Sequence, residues 1–189
     1  MFFKHAQGVL TSRECDILAG RGRLGGFEAA KVNDHGQQRM MTSIRNNERF
    51  EFVDAALAES LARDAKAALG ADFPDAFAGR KFCCAGDHFR MYRYVPGQFF
   101  KPHKDGSFDA GNAESEITAL FYLNDADGGE TVLMPYGAGQ AWAHVAIAPK
   151  KGDLLLFEHN AWHEGRPVAS GEKLVLRTDL FYFKASEGE

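Results

Sequence analysis

The chain has 189 residues, 45% of them hydrophobic and 25% charged, with a formal net charge of -4, the balance of a globular protein large enough to bury a full core. A negative chain has no global basic field to gather phosphate backbones, which disfavours nucleic acid as a partner. No stretch approaches the roughly 20 apolar residues needed to span a bilayer, so no membrane partner is expected.

The apolar run Phe2-Phe3 is too short for a signal segment, and a cytoplasmic location is the expectation. No repeat, low-complexity block or linker interrupts the sequence, which predicts one domain over 1–189, with helical support over 1–80 and a β core over 81–185. Thr11-Ser12-Arg13-Glu14 has capping-box spacing and predicts a first helix, stopped by the glycines between Gly20 and Gly26. Apolar residues at three-and-four spacing predict a second helix from Phe50 to Leu69, with Gly70 at its end. Cys15 and the adjacent Cys83 and Cys84 fit neither a disulfide framework nor zinc spacing and read as reduced thiols. After Pro74 come short apolar runs, Phe89 to Val95, Ile117 to Leu123, Glu130 to Met134, Ala143 to Ile147, Asp153 to Phe157 and Lys173 to Phe183. Turn residues separate them and no helix intervenes, which predicts a mainly β sandwich or barrel with supporting helices.

Two stretches carry candidate chemistry. Phe89 to Val95 is followed by Pro96-Gly97 and then by His103-Lys104-Asp105; Trp162-His163-Glu164-Gly165 lies about sixty residues later. On a strand, residues two apart share a face, so His103 and Asp105 could look the same way. Two imidazoles and one carboxylate can hold one face of an Fe(II) ion and leave the other positions open. His159 competes with His163 for the third position; the Gly165 and Pro167 that follow His163 favour it, and His159 reads as a turn or supporting histidine. His5, His35, His88 and His144 belong to no comparable constellation.

Read together, these segments resemble the Fe(II)/2-oxoglutarate dioxygenase superfamily, above all its prolyl-4-hydroxylase-like branch. The resemblance runs from about Phe89 to Phe183 through six ordered motifs: Tyr94-Val95-Pro96-Gly97-Gln98 with Lys101-Pro102-His103-Lys104-Asp105, Ile117 to Asn124, Gly128-Gly129-Glu130-Thr131, Lys151 to Phe157, and His163-Glu164-Gly165-Arg166-Pro167-Val168. Arg45-Asn46-Asn47-Glu48-Arg49 also looks like bacterial members of that branch. The resemblance implies a double-stranded β-helix (jelly roll) with the N-terminal helices packed on the barrel. It also implies iron held by His103, Asp105 and His163, and 2-oxoglutarate as co-substrate, with ascorbate as a reductant. The expected reaction consumes O2, yields succinate and CO2, and hydroxylates a small-molecule or peptidyl substrate, first of all a peptidyl proline. Relatives that halogenate carry a small residue where Asp105 stands, so hydroxylation is the expected outcome.

The distal carboxylate of 2-oxoglutarate would be a costly anion deep in a barrel and needs a built-in cation. Lys173 holds the family's common position, and Arg177 shares its face four residues on. Spacing favours Lys173; the planar fork and permanent charge of a guanidinium favour Arg177, which is taken as the deeper anchor by a narrow margin. Tyr94 and Thr118 match positions that line the co-substrate pocket, whereas Gly128 and Gly129 read as turn glycines. The segments Val32 to Glu48 and Ser107 to Glu116 are candidate lids. The rival readings are an oxidative nucleic-acid demethylase on the same fold, a non-catalytic barrel that senses iron or 2-oxoglutarate, and a cupin-like metal enzyme.

Overall fold

The computed structural model describes residues 1–34, 37–135 and 143–184; His35 lies outside them. β1 (Phe3–Ala6) precedes α1 (Ser12–Gly25), which opens on the capping box: the Thr11 side chain accepts from the Glu14 amide, and the Glu14 carboxylate from the Thr11 amide. β2 (Glu28–Ala29), a hairpin of β3 (Val32–Asp34) and β4 (Gln37–Arg39), and β5 (Glu48–Val53) lead to α2 (Ala55–Leu69). The short strands β6 (Ala76–Phe77) and β7 (Arg80–Ala85) follow, then β8 (His88–Tyr94), β9 (Phe100–His103), β10 (Ala113–Tyr122) and β11 (Asp127–Gly128). The remaining strands are β12 (Thr131–Met134), β13 (Val145–Ile147), β14 (Leu154–Glu158), β15 (Trp162–Gly165), β16 (Val168–Ser170) and β17 (Lys173–Phe183).

Two sheets make the jelly roll. The larger runs β1-β14-β10-β17-β8-β5-β2 with β7 also on β17, the smaller β13-β12-β15-β9, and their pairings are antiparallel. The strand period of two sorts the side chains of the larger sheet into two cores. On one face, Phe89, Met91, Ile117, Phe121, Leu156 and Leu176 join Cys15, Leu18, Ala58, Leu61 and Ala65 of the helices. On the other, Tyr92, Tyr94, Leu120, Leu155 and Val175 meet Leu133 of the smaller sheet. Each fully buried Leu or Phe contributes about 1.5–3 kcal/mol of transfer free energy, so the alternation holds both cores in register. Lys173 and Arg177 share the parity of Val175, and so face the second core.

Two expectations are corrected. Residues 50–53 are strand, not the start of α2: Asp54 caps the helix by accepting from the Leu57 amide at 3.0 Å. Upstream of the cap, Phe50 and Phe52 alternate along β5, which pairs with β8, and Phe52 stacks on Phe89 with centroids 5.2 Å apart. The first 80 residues are also more than helical support, because β1 pairs with β14 and β5 with β8 inside the larger sheet.

Candidate metal and co-substrate site

His103 ends β9, His163 lies in β15, and the register sets them directly opposite each other, with ring centroids 4.1 Å apart. The His103 Nδ1 is 2.8 Å from the Lys101 carbonyl, and the His163 Nδ1 is 3.0 Å from that of Ala161. A carbonyl only accepts, so each Nδ1 carries the proton and each Nε2 keeps a free lone pair. These Nε2 atoms lie 3.9 and 3.7 Å from the oxygens of Asp105. All three groups can offer ligand atoms within 4.8 Å of one another. Asp105 is not on the strand that carries His103. β9 has ended, and Asp105 is fixed in the following segment by its amide, which donates to the His159 carbonyl at 3.1 Å.

Both Asp105 oxygens are engaged: Oδ2 accepts from the Thr118 hydroxyl at 2.6 Å, and Oδ1 from Arg177 Nη1 at 2.6 Å. Burial pushes this carboxyl up, but Arg177 and then the two histidines outweigh it and hold it well below the usual range. Burial holds both imidazoles neutral, His103 down to about 3, with His163 adding to the effect. Two neutral imidazoles and one carboxylate are the protonation states that a divalent metal needs, and the mixed nitrogen and oxygen donors suit iron.

The two candidate anchors separate clearly. Arg177 is committed to carboxylates: besides Asp105, its Nη2 and Nε donate to Asp179 Oδ1 at 2.9 and 3.2 Å. Arg90 Nη1 donates to the other Asp179 oxygen at 3.2 Å. Lys173, 3% exposed, donates from Nζ to the Gly129 carbonyl at 2.7 Å. It has no ion-pair partner among the described residues. Burial pushes its ammonium down to about 7, with Glu130 opposing. The fork of Arg177 is thus already filled by protein carboxylates, whereas the Lys173 ammonium meets none among the described residues.

Tyr94 stands opposite Lys173 across the β8–β17 pair; burial raises its phenol to about 12, against the opposing charge of Arg45, so it remains a donor. Tyr94, His103, Asp105, Thr118, His163, Lys173 and Arg177 all line one cavity. His159 does not join them: its buried ring turns Nε2 to Asp179 Oδ1 at 3.3 Å. Gly128 and Gly129 were expected in a turn; instead Gly128 ends β11, paired with Val168, and Gly129 follows it, with φ of 70° and 69°, and the Gly129 carbonyl also holds the lysine. Phe100, stacked on His103, and Asp179, which orients Arg177, were not anticipated. The parity of β17 already placed Asp179 with Arg177, but nothing in the sequence announced the aromatic stack.

Residues 89–178 match the 2OG-Fe(II) oxygenase superfamily. Prolyl 4-hydroxylase 1 of Arabidopsis thaliana is 33% identical over 108 residues, covering 47% of this chain and 38% of that protein, so the chain spans well under half of that relative. The viral collagen prolyl hydroxylase of Paramecium Bursaria Chlorella virus-1, solved with 2OG, superposes with a TM-score of 0.66 at 21% identity, covering 98% of this chain and 97% of its own. A Trichoplax adhaerens prolyl hydroxylase, solved with a hypoxia inducible factor oxygen degradation domain peptide fragment, gives a TM-score of 0.67 at 19% identity, covering 96% and 83%. At these identities the structural likeness concerns the fold, which is the same jelly roll.

Proposed function

We propose that this chain is a member of the 2OG-Fe(II) oxygenase superfamily, an Fe(II)- and 2-oxoglutarate-dependent dioxygenase that hydroxylates a prolyl residue of a peptide or protein. The observation that carries this reading is one cavity lined both by His103, Asp105 and His163 and by a buried lysine with no ion-pair partner among the described residues. When bound, the iron and 2-oxoglutarate supply the oxidising power, O2 being consumed as succinate and CO2 form and one oxygen atom enters the substrate.

The chain's own residues bind, orient and exclude. His103, Asp105 and His163 would hold the metal, and the two Nδ1 hydrogen bonds to carbonyls fix the tautomers it needs. Thr118 and Arg177 keep Asp105 ionised and oriented. Lys173 would pair with the distal carboxylate of 2-oxoglutarate and Tyr94 would donate to it, while Leu120, Phe157 and Val175 line the cavity and keep water from competing. The prolyl assignment is supported by the names of the plant relative and of both structural neighbours.

The test is anaerobic loading with Fe(II) and 2-oxoglutarate, followed by air and proline-containing peptides. The expected result is succinate matched by peptide carrying one added oxygen atom. Succinate without oxidised peptide shifts the substrate to another class. Binding of both ligands with no succinate under any condition makes the barrel a sensor, and absence of binding sinks the reading altogether.

A further inference from the structure

The motif Arg45-Asn46-Asn47 supplies no group to the cavity, yet it grips the strand that carries His103. The Lys101 amide donates to the Ile44 carbonyl at 2.9 Å, and the Asn46 amide to the Phe99 carbonyl at 3.3 Å. The Phe99 amide donates to Asn46 Oδ1 at 2.8 Å, and Arg45 bridges Phe100. Residues 44–46 thus form a strap along β9, which pairs on its own account with β15. Arg45 is 4% exposed. Its Nε donates to Asn47 Oδ1 at 2.9 Å, Nη2 is buried with no partner, and no carboxylate pairs with it among the described residues. Its guanidinium carbon sits 4.1 Å from the Phe100 ring centroid and 5.0 Å from that of Tyr92. Burying such a charge is costly, and the faces of two aromatic rings offset part of that cost. On its other contact, Phe100 lies flat on the His103 imidazole, with centroids 3.5 Å apart and planes within 20°.

We infer that Arg45 is a positioning residue for the metal ligand His103, acting through the Phe100 ring. The inference rests on the iron-site reading above. A ligand imidazole must be fixed both in its plane and in its tilt. The plane is set by Nδ1 on the Lys101 carbonyl, and the Lys101 amide is tied to Ile44. The tilt is set by Phe100, which Arg45 covers. Both constraints lead back to the strap, so a segment some fifty residues upstream in the chain orients the first ligand before any metal arrives. Such support of a ligand by its surroundings lowers the cost of ordering it on binding.

Titration of the full chain with Co(II), followed by its ligand-field absorption, tests this without relying on turnover. The unsubstituted chain should bind Co(II), and Arg45→Met should weaken binding roughly 10- to 100-fold with shifted bands. Arg45→Lys, which keeps a cation over the ring, should recover most of the affinity and the original spectrum. Phe100→Leu should cost about as much as Arg45→Met, and the double variant little more than either, because both break one route. Unchanged Co(II) affinity and spectrum in Arg45→Met, or losses that add in the double variant, overturn the inference. Where Arg45→Met does not fold, Phe100→Leu decides, and unchanged affinity there overturns it equally. If the unsubstituted chain binds no Co(II), the failure lies with the iron-site reading itself.

Discussion

Lys173 and Arg177 lie on one face of one strand, and what each touches decides its role. Arg177 is saturated by Asp105 and Asp179, so Arg177→Met should first weaken metal binding, by loosening Asp105. Lys173 meets only a carbonyl and aromatic faces. Lys173→Met should therefore cost about 2–5 kcal/mol of 2-oxoglutarate affinity, the loss expected when one partner of a buried charge pair is truncated, and leave metal affinity near normal. Calorimetry on both variants checks this, and equal losses of 2-oxoglutarate affinity would sink the assignment. The same lysine sets a pH dependence. It titrates at about 7 in the free protein, and a bound carboxylate favours its charged form. Affinity for 2-oxoglutarate should thus level off below pH 7 and fall about tenfold per pH unit above it, with a proton taken up on binding. Calorimetry in two buffers of different ionisation enthalpy reads that proton directly. For stability the sign is opposite to that of a paired lysine. The depressed folded-state pKa means a penalty that is full below pH 7 and fades as pH rises towards 10.5, so Lys173→Met should raise the melting temperature at neutral pH while abolishing function.

At the scale of elements, the Gly128-Gly129 pair that closes β11 acts together with β17. Gly129 has φ +69°, and a Cβ there would sit 2.9 Å from Val168 Cγ2 and 3.2 Å from Lys173 Cδ. Gly129→Ala should lose about 1–2 kcal/mol from the left-handed backbone alone, and should also displace the lysine. Gly171→Ala, at φ +73° with nothing within 4 Å, carries the same backbone strain without the second effect. Denaturant melts should show both variants destabilised, with 2-oxoglutarate affinity reduced only in Gly129→Ala; an equal effect on affinity would remove Gly129 from the site. β17 was legible from end to end, Lys173 to Phe183, because two apolar runs rich in strand formers, Leu174 to Leu176 and Leu180 to Phe183, lie between Gly171 and Lys184 with no turn residue inside them. β5 was not: Phe50 and Phe52 fit a helical pattern as well as a strand, and only their pairing with β8 settles the matter. The three candidate ligands were legible as residues in order, but the departure of Asp105 from the strand depends on a bond to the distant His159 carbonyl. The Arg45 strap was visible as a motif and opaque as a device, since its contacts form with residues 99–101, far along the chain.

For the whole molecule, the site is a product of folding. Its residues come from β8, β9 and the segment just after it, β10, β15 and β17, on both sheets, so the unfolded chain offers no comparable set of donors. Ligands that bind only the native state stabilise it by mass action, by about 2.7 kcal/mol at a hundred times the dissociation constant, which at this chain length is a rise of roughly 5–10 °C in melting temperature. Fe(II) under anaerobic conditions should produce such a rise, and 2-oxoglutarate should add to it. The effect also discriminates between the two downstream histidines. His163 faces His103 and presents a free Nε2, whereas His159 turns its Nε2 towards Asp179. His163→Ala should abolish the metal-dependent rise. His159→Ala should lower the starting melting temperature, because it empties a buried position beside Asp179, and yet keep most of the rise. Differential scanning calorimetry of both variants with and without Fe(II) separates these outcomes. Retention of the full rise in His163→Ala, with its loss in His159→Ala, would assign the third ligand to the other histidine and redraw the site around Asp179.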